Sequence, residues 1–147
     1  MTIPTATPHE ACAALFSRYA LAQDTGDVDA FLALFTEDAA WHRPMNDAPL
    51  VGSAEIVPTA RALFGGRGPD FVCQHFVSNV LVTFESAERG EGSCYALAFA
   101  ATRGADGSAP PIPAIPAGIL RYFATFARCD DGWKFAAFRA VRVFRPA

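Results

Sequence analysis

Four long runs in the second half of the chain most constrain what it can fold into. Phe71–Ser86, Gly92–Thr102, Ile119–Cys129 and Trp133–Phe144 are rich in Phe, Val, Leu and Tyr. Turn-like separators divide them: Ala-Glu-Arg-Gly-Glu-Gly, a Pro-rich stretch, and Asp-Asp-Gly. Strands of this length joined as hairpins make a strongly curved antiparallel sheet, which must bury one face against something. The first half supplies the cover, because its apolar residues recur at helical spacing. Helices first and strands second define an α+β layer arrangement.

From about His9 to Asp24, the residues Cys12, Leu15, Phe16, Tyr19 and Gln23 form one stripe at three- and four-residue steps. Gly26 stops this helix. Asp27 then caps a short second one, with Val28, Phe31, Leu32, Leu34 and Phe35 on its apolar side. Thr36-Glu37-Asp38 breaks the pattern, and residues 39–43 read as a short strand stopped by Pro44. A polar loop leads to Gly52. Ser53 is expected to cap a third helix from about Ala54 to Phe64, with Pro58 near the end of its first turn. Residues 65–70 are a glycine-rich loop. Residues 104–118, with four prolines, are too long for a simple hairpin and form either a surface or interface loop or a lid beside a pocket.

Composition narrows the function classes. A chain of 147 residues with 52% hydrophobic and 18% charged residues is globular and sized for one domain spanning 1–147. A formal charge of −3 argues against nucleic acid as a partner, although Arg121, Arg128, Arg139, Arg142 and Arg145 cluster late in the chain. No apolar stretch approaches the ~20 residues that span a bilayer, and no signal peptide is read, so a cytoplasmic setting without membrane contact is expected. Cys12, Cys73, Cys94 and Cys129 are scattered within apolar runs and read as free thiols, with no metal site and no phosphate loop. Thirteen phenylalanines imply an aromatic-lined cavity or a buried subunit interface.

Asp24 is the residue without a local purpose. It lies at the end of the first helix, where the dipole disfavours an anion, on the border of the apolar stripe. His75 and Asn79 share a face of the first long strand by two-residue alternation, with Cys73 and Val77. Both need partners if buried. Tyr122 alternates with Leu120, Ala124 and Phe126, so its ring is expected inside. Either Trp41 or His42 faces inward, since neighbours in a strand point oppositely. Arg139 and Arg142 lie on opposite faces of the last strand, so only one of them can line a given pocket.

These patterns resemble the nuclear-transport-factor-2-like superfamily, and within it the SnoaL-like and scytalone-dehydratase-like branch. The likeness rests on Tyr19-x4-Asp24-x2-Asp27-x-Asp29 running into Phe31, Leu34 and Phe35. It rests also on Gln74-His75-Phe76 with Asn79, and on Asp131-Gly132-Trp133-Lys134-Phe135 opening the last strand. The resemblance implies a cone-shaped α+β barrel, a curved sheet wrapped around the N-terminal helices with a deep apolar pocket. It implies that Asp24 pairs with His75, with Tyr19, His42, Asn79 and Tyr122 as substrate-binding groups. It further implies self-association as a homodimer or homotrimer.

An aspartate bonded to one imidazole nitrogen fixes the tautomer and strengthens the other nitrogen as a base. Such a pair can remove a proton beside a carbonyl, giving isomerisation or dehydration without cofactor or metal. The expected function is therefore a cofactor-independent lyase or isomerase acting on a hydrophobic cyclic or polycyclic carbonyl compound. The sequence departs from the dehydratase pattern: no second histidine stands in residues 96–102, Gln23 replaces a tyrosine beside the aspartate, and Tyr122 takes an asparagine position. These changes keep open an alternative, a non-catalytic small-ligand-binding or assembly module. An epoxide-opening hydrolase ranks last, for want of a second inward carboxylate.

Overall fold

A computed structural model describes residues 6–144; Arg145 lies outside that range. Three helices precede most of a six-stranded sheet: α1 (Pro8–Thr25), α2 (Val28–Leu32), β1 (Phe35–His42), β2 (Leu50–Val51), α3 (Ser53–Gly65), β3 (Phe71–Phe84), β4 (Arg89–Thr102), β5 (Gly118–Cys129) and β6 (Gly132–Phe144). The strand order is β2-β1-β6-β5-β4-β3, and the curved sheet does not close. The expected α+β cone is present.

Local chemistry explains where α1 starts and stops. Thr7 caps it reciprocally with Glu10: the Thr7 hydroxyl accepts from the Glu10 N–H at 3.2 Å, and the Glu10 carboxylate accepts from the Thr7 N–H at 2.7 Å. Gly26 ends it in the left-handed region at φ 73°, where a side chain would be strained. Asp27 caps α2 as expected, accepting from the Ala30 N–H at 2.9 Å. An Arg61–Asp29 ion pair at 2.8 Å ties α2 to α3.

The stripe read on α1 is the face that packs into the sheet. Phe16 meets Phe126 edge-on at 5.7 Å, and Tyr19 stacks on Phe138 with ring centroids 4.1 Å apart. Phe31, Phe35, Trp41 and Phe135 complete a continuous aromatic core. Most of the phenylalanines this core uses are therefore packing residues. All four cysteines are free thiols, three of them buried.

Four local expectations are corrected. The first strand begins at Phe35 and runs through half-buried Thr36 and exposed Glu37 and Asp38, where its pairing with β6 is irregular. That pairing is parallel, so the sheet is not wholly antiparallel. The loop before Gly52 contains the two-residue β2. Gly52, not Ser53, is the N-cap of α3 and offers no side-chain oxygen; Glu55 instead accepts from the Val51 N–H at 2.7 Å.

The cone is hollow because its inner rows are small. On paired strands, His75 lies opposite Ala98 and Ala98 opposite Gly118. Ala96, Ala100 and Ala140 continue this thin lining. Larger side chains at these positions would fill the space under α1. Residues 103–117 form a loop whose Pro110, Pro111 and Pro113 lie over the β3–β4 edge, with Ile112 and Ile115 exposed.

Candidate active site

The last turn of α1 crosses β3, and this crossing accounts for Asp24. Its Oδ1 lies 2.6 Å from His75 Nδ1. Its Oδ2 accepts from the His75 backbone N–H at 3.0 Å and from Gln74 Nε2 at 2.9 Å. Three donors from two adjacent residues of one strand thus hold one carboxylate. Both side chains are largely sheltered, His75 being 14% and Asp24 11% exposed. In this geometry the helix-end position is incidental, and the interactions that stabilise the anion come from the sheet.

The arrangement determines a tautomer. A carboxylate only accepts, so neutral His75 must carry its proton on Nδ1. Nε2 is left with a lone pair. His75 lines a cavity of about 250 Å³ whose other walls include Tyr19, Trp41, Phe71, Phe99 and Tyr122. Asp24 sits behind the histidine and positions it.

Two phenols can donate in this cavity. Tyr19 accepts a hydrogen bond from the Trp41 indole N–H at 3.3 Å, which leaves its own O–H available. Burial pushes its pKa up to about 12, against smaller opposing effects of Trp41 and Gln23 hydrogen bonds. Burial raises Tyr122 further still, with the neighbouring Tyr19 and Cys94 adding to it. Both are therefore neutral hydrogen-bond donors across the physiological range. Neither can serve as a base there.

Two expected pocket residues are not brought to this cavity. Trp41 is the inward-facing member of its pair, so His42 points to the opposite face of the sheet, its Nε2 2.9 Å from the Asn46 carbonyl oxygen. Asn79 sits in a bulge after Ser78 with φ 54°, exposed to solvent. The bulge ends the two-residue alternation that placed it beside His75. Of the late arginines, Arg142 lines the cavity, while Arg139 lies on the outer face with His42.

Sequence reasoning missed Arg43 and Arg67, which also line the cavity. Arg67 donates to both the backbone oxygen and the Oε1 of Gln23, each at 2.5 Å, and stacks over Phe64 with its guanidinium 4.4 Å from the ring. The available signal was an isolated arginine inside a glycine-rich loop. A larger hollow of about 560 Å³ lies on the sheet's other face, but it contains no paired acid and base.

Asp24, Cys73 and His75 bring their donor atoms within 4.8 Å of one another, a spacing a metal could use. Their chemistry does not fit one. The Asp24 oxygens already accept three N–H donors. The Cys73 thiol donates to the Gln23 carbonyl oxygen at 3.3 Å, and burial pushes its pKa up to about 11. The cluster is a hydrogen-bonded assembly of uncharged thiol, carboxylate and imidazole.

Comparison with known proteins agrees with this architecture. Residues 4–139 match the family described as the SnoaL-like domain, and the chain belongs to that family. A candidate aromatic ring hydroxylase from Novosphingobium aromaticivorans is 26% identical and superposes with a TM-score of 0.70, covering 93% of this chain and 90% of that one. A candidate scytalone dehydratase from the same organism is 20% identical, with a TM-score of 0.72 and coverages of 91% and 83%. A candidate dehydratase of the NTF2-like family from Streptomyces avermitilis is 17% identical, with a TM-score of 0.77 and coverages of 93% and 97%. No curated protein matches the chain. The fold is thus the one these structures share. No helix among the described residues is long and apolar enough to cross a membrane.

Proposed function

We propose that the protein is a cofactor-independent lyase or isomerase in which His75 moves a proton next to the carbonyl of a hydrophobic cyclic compound. The observation that carries this is the 2.6 Å Asp24–His75 hydrogen bond in the cavity wall, which leaves Nε2 bare. Nε2 takes the proton from the carbon beside the carbonyl, and the electron pair moves onto the carbonyl oxygen. Tyr19 or Tyr122 donates to that oxygen as charge develops. Return of the proton at another carbon is isomerisation; departure of a neighbouring hydroxyl, protonated by the imidazolium, is dehydration. A volume of about 250 Å³ lies at the small end for ligand pockets and suits one or two rings better than four.

Deuterium incorporation from heavy water tests the proton step even before the physiological substrate is in hand. A panel of one- and two-ring ketones should exchange at the carbon beside the carbonyl with wild type and not with His75→Ala. Equal exchange by a folded His75→Ala protein would remove the proposal.

One observation favours a second reading, a non-catalytic ligand-binding module. Where the dehydratase-like pattern has another histidine, β4 presents Ala98, Phe99 and Ala100 to the cavity. A ligand that co-purifies and survives long incubation unchanged would favour it. On either reading the apolar outer face, with Leu81 68% and Phe123 38% exposed, would be covered in a homodimer or homotrimer. A monomer by light scattering would contradict that.

A further inference from the structure

The charges around the cavity are unevenly distributed. The chain as a whole is acidic, with 15 Asp and Glu against 12 Lys and Arg. Yet three arginines, Arg43, Arg67 and Arg142, line this cavity, and no aspartate or glutamate does. Asp24, which stands behind the histidine, has both oxygens engaged by His75 and Gln74. The ion pairs of the described residues are Arg61–Asp29, Asp24–His75 and Lys134–Asp131, so none neutralises the three guanidinium groups.

These arginines come from three separate places in the chain: the residue after β1, the loop after α3 and the last residues of β6. Two are stiffened by contacts that leave donors free. Arg67 spends two N–H groups on Gln23 and lies against Phe64 and Phe71. Arg43 rests over the Trp41 ring at 5.5 Å. A guanidinium stacked by its face keeps its N–H edge for a planar two-oxygen acceptor. Arg43 and Arg67 are half-buried and Arg142 is exposed at the rim; like charges facing one cavity repel one another, a cost that a bound anion would relieve.

We infer that the molecule bound in this cavity is an aromatic or alicyclic carboxylic acid of one or two rings, anchored by Arg43, Arg67 and Arg142. The inference rests on the reading that this cavity is the substrate site, and it names the substrate class. The carboxylate is an anchor and stays chemically unchanged. It holds the ring body among Tyr19, Trp41 and Tyr122, with the reacting carbon left to His75.

Calorimetric titration of matched ligands separates this claim from the catalytic one. The probes are 2-naphthoate and the near-isosteric neutral 2-naphthamide. Wild type should bind the acid about tenfold or more tightly than the amide, in line with charge-assisted pairing, and added salt should narrow the gap. In Arg43→Gln and in Arg142→Gln the ratio should fall while amide affinity holds, and in the double variant it should approach one. Arg67 is left in place because it also fixes Gln23. In His75→Ala the acid preference should persist, whatever becomes of proton exchange. Equal affinity of wild type for acid and amide, binding of neither, or a preference unchanged in both single variants and the double variant would overturn the inference. None of those results would touch the Asp24–His75 proposal.

Discussion

The two faces of the sheet carry similar side chains and different chemistry. The outer face has the larger hollow, about 560 Å³, with a histidine and an arginine, His42 and Arg139, opposite each other on paired strands. The inner face has about 250 Å³, with His75 and three arginines. What separates them is what stands behind the histidine. His42 meets a backbone carbonyl from its own loop, four residues along the chain. His75 meets a carboxylate delivered by another element, 51 residues away, and that carboxylate is held by two further donors. Volume and residue type do not make a site on their own. A charged partner fixed from outside the strand does.

The comparison can be broken most forcefully at the histidines. With a substrate in hand, His75→Ala and Asp24→Ala should lower kcat/KM by about 10²–10⁴-fold, the usual worth of a positioned acid–base group. His42→Ala should change it less than about twofold. Comparable losses at His42 and His75 would erase the distinction between the faces. Packing gives the next largest contrast. Phe138, 1% exposed and stacked on Tyr19, should cost about 3–5 kcal/mol when replaced by Ala, read by denaturant unfolding. Leu81→Ala on the outer face, where the side chain is 68% exposed, should cost less than about 0.5 kcal/mol in the monomer. A large loss at Leu81 would mean that this face is covered in solution.

A smaller effect sharpens the contrast through pH. The inner face buries Tyr19 at a pKa of about 12, and burial pushes Cys73 up to about 11 and Cys94 up to about 12. In the unfolded chain these groups lose their protons first, near pH 9 for the thiols and pH 10 for the phenol. The unfolded state then binds fewer protons than the folded one, so stability falls as pH rises. The contribution is whole below about pH 9 and lost progressively toward pH 12. Thermal melts should show this decline, and Tyr19→Phe should make it shallower above pH 10. An unchanged slope in Tyr19→Phe would place the phenol in contact with water.

Much of this was readable from the chain because the signals were local. Gly26 stops α1, Asp27 caps α2, and the long β-type runs fold as strands, since each depends on neighbours within a few residues. The unplaced carboxylate of Asp24 was also readable, as a residue whose local setting disfavours it. Its partner was named through the family resemblance, because helix–strand contact is not a local property. Misreadings occurred where tertiary pairing overrode local pattern. Thr36, Glu37 and Asp38 look like a break but continue β1, because they lie at its irregularly paired stretch. The bulge at Asn79 turned a face-sharing residue outward. Arg43 and Arg67 lie in connecting segments with no periodicity to read, and only closure of the chain brings them to the cavity.

The central claim is that Asp24 presents His75 to the cavity with a bare Nε2, and the ring nitrogens report this directly. A long-range proton–nitrogen correlation spectrum of the neutral His75 ring distinguishes a protonated nitrogen from one with a lone pair. The account predicts the proton on Nδ1 and the lone pair on Nε2, the reverse of the preference of a free imidazole side chain. A His75 ring protonated on Nε2 would contradict it.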